Sequence, residues 1–166
     1  MTPDFNIGQR TELALSYFEE GYNCAQSVVL AYCDIIGLDK ETAAKMSLSF
    51  GGGIGRMREV CGTITAMAMM AGFRYPAANP TDKGLYTLNY SVVRKMTELF
   101  RQSNGTIKCS ELVRQVKADT RPVPPAMAAC IAKRPCARLV AEAADIAGRM
   151  LKGEFAERNN YINRKQ

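Results

Sequence analysis

Between Ser49 and Phe73 the chain runs SFGGGIGRMREVCGTITAMAMMAGF, and no other stretch limits the fold as much. Four glycines in five positions (Gly51, Gly52, Gly53, Gly55) are costly in chain entropy, so they mark backbone that bends unusually or approaches something closely. They lead into Cys61 and then into Gly62 to Phe73, an uncharged run rich in Ala and Met that reads as a helix. The stretch predicts a thiol at a helix start, under a glycine-rich loop, with Arg56 and Arg58 beside it. GGGIGR is neither GxGxxG nor a Walker sequence, and no strand leads into it. It is either a tight helix–helix connector or a set of backbone N–H groups wrapped around an anion or sulfur site. On the second reading Gly51, Gly52, Gly53, Gly55 and Arg56 would bind a cofactor.

Helical period governs the rest. Ile7, Thr11, Ala14, Phe18 and Tyr22 share a face in a first helix ending near Gly21. Asn23 caps a second, whose stripe from Ala25 to Ile36 is closed by Gly37, and Asp39 caps a third through about Leu48. Asn79 and Pro80 mark the start of a long amphipathic helix through Leu99, ended by Gly105. Lys108 to Val116 is a short helix, Thr120 to Pro125 a linker, and Pro135 starts the last long helix, with Asp145 and Arg149 paired on its outer face. There is no repeat and no convincing strand. The expectation is all-α: a compact single-domain bundle of about six to seven helices over residues 1–152, then a polar tail over 153–166 suited to an oligomer contact.

At 166 residues the chain is long enough to bury one sizeable core. Histidine is absent, which excludes Ser-His-Asp and Cys-His catalytic pairs, His-containing zinc sites and the CxxCH attachment of haem c. Chemistry must run on thiols, carboxylates, amines and backbone. The net charge of +6 is dispersed, densest at Arg56/Arg58, Lys133/Arg134 and Arg158 to Lys165, with no basic stripe interleaved with aromatics. That pattern describes a solvated surface, not a nucleic-acid footprint. Met1 to Arg10 lacks a signal-peptide pattern, and no apolar run approaches the ~20 residues of a membrane span. The reading is a soluble, cytoplasmic protein, in which six cysteines serve redox or metal chemistry rather than a disulfide framework.

Four of those six occupy the first turn of a predicted helix: Cys24, Cys61, Cys109 and Cys136. Each is in register with an apolar face, so all four should point inward around one site. Cys33 and Cys130 lack the placement and read as packing residues. A helix N-terminus favours a thiolate by only ~0.3–1 kcal/mol, so strong activation needs a cation, which Arg56 and Arg58 supply at Cys61. Converging thiols cannot all ionise, since two like charges at ~4 Å cost ~4 kcal/mol at an effective dielectric of about 20. Convergence therefore implies a metal ion, an iron–sulfur cluster, disulfides or protonated thiols. No CxxC knuckle is present, which disfavours ordinary structural zinc.

GYNCAQSVVLAY, FGGGIGRMREVCGTITA, GTIKCSELV and CARLVAEAADI, in this order, resemble the redox-active protein family called C_GCAxxG_C_C. The resemblance spans about Gly21 to Ile146 and lays the family's four cysteines on Cys24, Cys61, Cys109 and Cys136. It implies a redox-active protein, an oxidoreductase if the site turns over, with an unidentified redox partner or small molecule. The family's CGAxxG reads CGTITA here, with Thr63 for Ala and Ala66 for Gly, and the lost second glycine should narrow the approach to Cys61. Two rival readings stay open: a metal-binding sensor or delivery module using the same thiols, and a structural helical protein whose cysteines merely pack.

Overall fold

Helices begin where the sequence supplies an acceptor for their first free amides. Asn6 accepts from Gln9 N ahead of α1 (Ile7–Glu20), and Asp39 accepts from Thr42 N ahead of α3 (Lys40–Ser47). Ahead of α2 (Cys24–Leu30), Asn23 accepts from Gln26 N while its own amide donates to the Gln26 side chain, a reciprocal capping box. A 3-10 turn, Leu48–Phe50, carries α3 into the glycine loop. The computed structural model, which describes residues 2–156, continues with α4 (Gly62–Arg74), α5 (Lys83–Asn104), α6 (Cys109–Ala118), α7 (Pro125–Lys133) and α8 (Ala137–Leu151). The architecture is all-α in one domain, with eight helices and no strand among the described residues.

Three elements differ from expectation. α2 ends at Leu30 rather than near Gly37, because the backbone passes into turns in which Leu38 N donates to Cys33 O; Cys33 is therefore not on the helix of Cys24. α5 is capped by Asp82, which accepts from Leu85 N, whereas Asn79 closes a local turn with the amide and hydroxyl of Thr81. α7 is additional: Pro125 occupies its first position, where a missing N–H is harmless.

α8 is the hub, packed against α1, α2, α4, α5 and α7. Its small residues Ala137, Ala143, Ala144 and Ala147 are fully buried and let neighbouring helices come close. The Tyr32 hydroxyl lies against Gly148 and donates to Ala144 O at 2.8 Å, which joins the turn after α2 to the hub. Met67, Met70, Met96, Phe100, Leu112 and Met150 fill the space between. Arg149 and Asp145 pair at 4.0 Å on the outer face, as their spacing predicts, and Arg149 also reaches Glu154 at 2.6 Å. No helix among the described residues is long and apolar enough to cross a membrane. The expected tail beyond residue 156, with its oligomer contact and basic cluster, lies outside the described residues.

Candidate functional site

The glycine loop is wound the wrong way for L-residues. Gly52, Gly53, Ile54, Gly55 and Arg56 follow one another at φ between 55° and 69°, and Arg58 sits at 64°. A left-handed conformation costs a non-glycine residue about 1–2 kcal/mol, and a β-branched side chain such as Ile54 is rarer there still. The turn is held by its own amides: Ile54 N donates to Phe50 O, Arg56 N to Gly51 O, Arg58 N to Gly52 O and Glu59 N to Gly53 O. Downstream the chain pairs antiparallel with the segment before α6 through the isolated bridge Val60–Lys108. Cys61 N donates to Ile107 O at 2.9 Å and Cys109 N to Glu59 O at 2.6 Å. That short pairing sets two predicted site cysteines on adjoining backbones.

All four predicted cysteines line one cavity of about 530 Å³. Cys24 and Cys109 are the first residues of α2 and α6, and Cys61 and Cys136 immediately precede α4 and α8. Gly51, Gly52, Gly55 and Arg56 line the cavity too. Gly53 does not; it packs behind the wall, where an added Cβ would lie 2.6 Å from the Cβ of Cys109. At Gly62 an added Cβ would lie 2.7 Å from Cys24 Sγ and 2.7 Å from Phe50 O, so the bare backbone lets the Cys24 sulfur rest beside Cys61. Cys33 and Cys130 lie away from this cavity, Cys33 half-buried after α2 and Cys130 buried in α7.

The arginine contact does not fall on Cys61, where the flanking sequence predicts it. Cys61 is only 4% exposed; burial, followed by the nearby Cys24 and Cys109 sulfurs, pushes its pKa up to about 12, against the opposing hydrogen bond it shares with Thr63 Oγ1 at 3.1 Å. Arg58 reaches Cys109 instead, with Nη1 3.9 Å from Sγ. The left-handed backbone at Arg58 and the pairing that brings the 107–110 segment alongside direct the guanidinium there. Burial also raises Cys136, to about 11, helped by Cys24 and Cys109 and opposed by Arg58 and Arg134. Cys24 is raised by burial, opposed by a hydrogen bond from the Gly52 backbone N–H.

Three lining residues escape the sequence reading. Arg134 stacks on the Phe18 ring, 3.6 Å from its centroid, while Nη1 donates to Phe18 O and to Tyr22 O at the end of α1. Its only trace in the sequence is a basic pair shortly before Cys136. Asn23, besides capping α2, donates from Nδ2 to Leu48 O at 2.9 Å. Thr63, one of the family departures, supplies the hydroxyl facing Cys61. The other departure, Ala66, is fully buried within α4 and does not line the cavity, so its methyl group makes no part of the wall beside Cys61.

Among the described residues no group of three or more His, Cys, Asp or Glu side chains is placed to hold a metal ion. What the arrangement offers is several thiols of unequal acidity facing a space a small molecule can enter. A family model described as "Putative redox-active protein (C_GCAxxG_C_C)" matches residues 22–150. No curated protein and no solved structure matches the chain.

Proposed function

The chain belongs to the C_GCAxxG_C_C family of redox-active proteins, and on that premise we propose that its cavity is a thiol–disulfide centre in which Cys109 attacks and Cys24 resolves. The carrying observation is that, of four thiols on one cavity, Cys109 is the one in contact with a guanidinium. The thiolate is the nucleophile in disulfide exchange, and both a neighbouring cation and a helix start favour it. Cys61 and Cys136 are held protonated at neutral pH by their surroundings. Cys24 is half-buried, close enough to Cys109 to feel its charge, and receives the Gly52 N–H, a donor that favours a developing thiolate.

In the first step the Cys109 thiolate attacks one sulfur of an incoming disulfide. That S–S bond breaks, and the other half leaves as a thiolate and takes a proton. The Cys24 thiol then loses its proton and attacks Cys109 Sγ, forming the Cys24–Cys109 bond and expelling the second half as a thiol. One disulfide has been reduced to two thiols and one protein dithiol oxidised. A reducing cytoplasm, where dithiols are regenerated, is the compartment this reading implies.

Alkylation of the reduced protein at neutral pH, read peptide by peptide, tests the assignment. Cys109 should react first among the four cavity cysteines, and Arg58→Gln should slow it several-fold by withdrawing the cation. Limited oxidation should then yield a Cys24–Cys109 cross-link. Labelling led by Cys61, or an Arg58→Gln protein with unchanged Cys109 reactivity, rejects the proposal.

A further inference from the structure

The cavity is cationic in a way that thiol exchange alone does not need. Three guanidiniums line it, from Arg56, Arg58 and Arg134, and no carboxylate does. Among the described residues none of the three enters an ion pair, a condition shared with Arg74, Arg94 and Arg114 but not with Arg10, Arg101, Arg121, Arg138 and Arg149. Arg134 is fixed on the wall by the Phe18 ring and by two carbonyls that both take hydrogen bonds from Nη1. Its Nε and Nη2 donors have no hydrogen-bond partner among the described residues and can face a ligand. Arg56 and Arg58 are both held at φ 64°, a conformation that persists only where the surrounding structure enforces it. Strain is thus spent on the two residues that complete the cationic wall.

Resting on the thiol–disulfide reading, we infer that the substrate is a low-molecular-weight disulfide carrying carboxylates, which Arg56, Arg58 and Arg134 hold while its sulfurs face Cys109. Size agrees with charge. The cavity volume of about 530 Å³ falls within the range of small-molecule sites, and Cys61 and Cys109 are too buried for a disulfide on a folded protein to reach. Planar guanidiniums pair with carboxylates through two parallel hydrogen bonds, stronger than neutral ones. The chemistry is the exchange already described: the anionic disulfide is reduced to two anionic thiols as Cys24 and Cys109 become a disulfide.

The test compares three small disulfides as oxidants of the reduced protein: dithiodipropionate (two carboxylates), hydroxyethyl disulfide (neutral) and cystamine (two ammoniums). Rates of protein disulfide formation are divided by those of a free thiol, which removes intrinsic differences between the reagents. Dithiodipropionate should lead the neutral reagent by about tenfold or more, as charge-assisted pairing predicts, with cystamine last. Salt should shrink the gap. Arg56→Gln, at an exposed position, should remove much of the preference for the anionic reagent over the neutral one. Suberate, which has the same chain length and charge without sulfur, should bind in calorimetry and slow the anionic reagent. Equal normalised rates for the three disulfides, or suberate that neither binds nor competes, overturn the anionic substrate while the redox reading stands. If no reagent forms a cavity disulfide but suberate still binds in an Arg56-dependent way, the redox reading fails and the anion site survives.

Discussion

The α8 hub and the cavity at the helix starts are built on opposite principles. Around α8 local preference and global packing agree: alanines where helices press together, large apolar side chains in the gaps, and two buried hydroxyls, of Tyr32 and Tyr75, each with an α8 carbonyl to receive it. At the cavity they conflict. Ile54, Arg56 and Arg58 are left-handed, thiols are buried with their acidity suppressed, and cations stand without counter-charges. Chains whose local choices agree with the fold have the deepest energy gap, and departures from agreement gather where structure is bent to chemistry. The contrast singles out the cavity without reference to any motif.

Two glycines of α4 give the sharpest way to break that contrast. At Gly62 a methyl group would strike Cys24 Sγ and the Phe50 carbonyl, whereas at Gly72 it would meet nothing within 4 Å. Gly62→Ala should lose about 1–3 kcal/mol, the usual cost of overpacking, and should displace Cys24. Gly72→Ala should gain about 0.5–1 kcal/mol from helix propensity. Urea unfolding of the two variants decides it; equal effects would mean that Cys24 is not pressed against α4.

Alkaline pH sharpens it next. Burial raises Cys24, Cys61 and Cys136 in the folded protein, the last two to about 12 and about 11. The unfolded chain, with thiols near pKa ~8.5, releases protons first as pH rises. The stabilisation is therefore complete below that value and is lost as pH climbs toward the folded values. Each such thiol contributes a slope of up to about 1.4 kcal/mol per pH unit. Reduced protein should lose stability from pH about 8.5 upward toward about 11, and Cys61→Ala should flatten the curve. A curve unchanged in Cys61→Ala would place that thiol in contact with solvent.

The smallest effect concerns the loop. Ile54→Gly relieves a β-branched residue at φ 63° but frees the unfolded chain, so the net gain in stability should be at most about 1 kcal/mol. The same variant should exchange disulfides more slowly if the enforced turn positions Arg56 and Arg58. A stability loss beyond about 1 kcal/mol would show that Ile54 is held for its packing.

What the sequence disclosed divides along the same line. Features set within a turn of helix were legible: the caps at Asn23 and Asp39, the closing glycines Gly21 and Gly105, the Asp145–Arg149 pair and the helix-start position of four cysteines. The resemblance, carried by four ordered segments, pointed to the family. Features set by distant segments were not legible. Arg58 lies three residues from Cys61 in sequence, yet its guanidinium goes to Cys109, because a backbone pairing across half a hundred residues intervenes. Arg134 meets Phe18 and Tyr22 only once α1 and the start of α8 are neighbours. α7 carries too little amphipathic character to stand out beside the prolines that precede it.

The Arg134 clamp has a consequence for how the protein is made. Synthesis proceeds from the N-terminus at about 5–20 residues per second, so Cys24 emerges several seconds before Arg134 and Cys136. During that interval Cys24, Cys33, Cys61 and Cys109 belong to a chain lacking both the guanidinium that ties α1 to the far wall and the helix on which the core converges. Contacts so remote in sequence form late. The nascent thiols are thus open to any oxidant or to one another until α8 has emerged and packed against the earlier helices. The docking of α8 is the moment at which the four cavity cysteines come to share one wall.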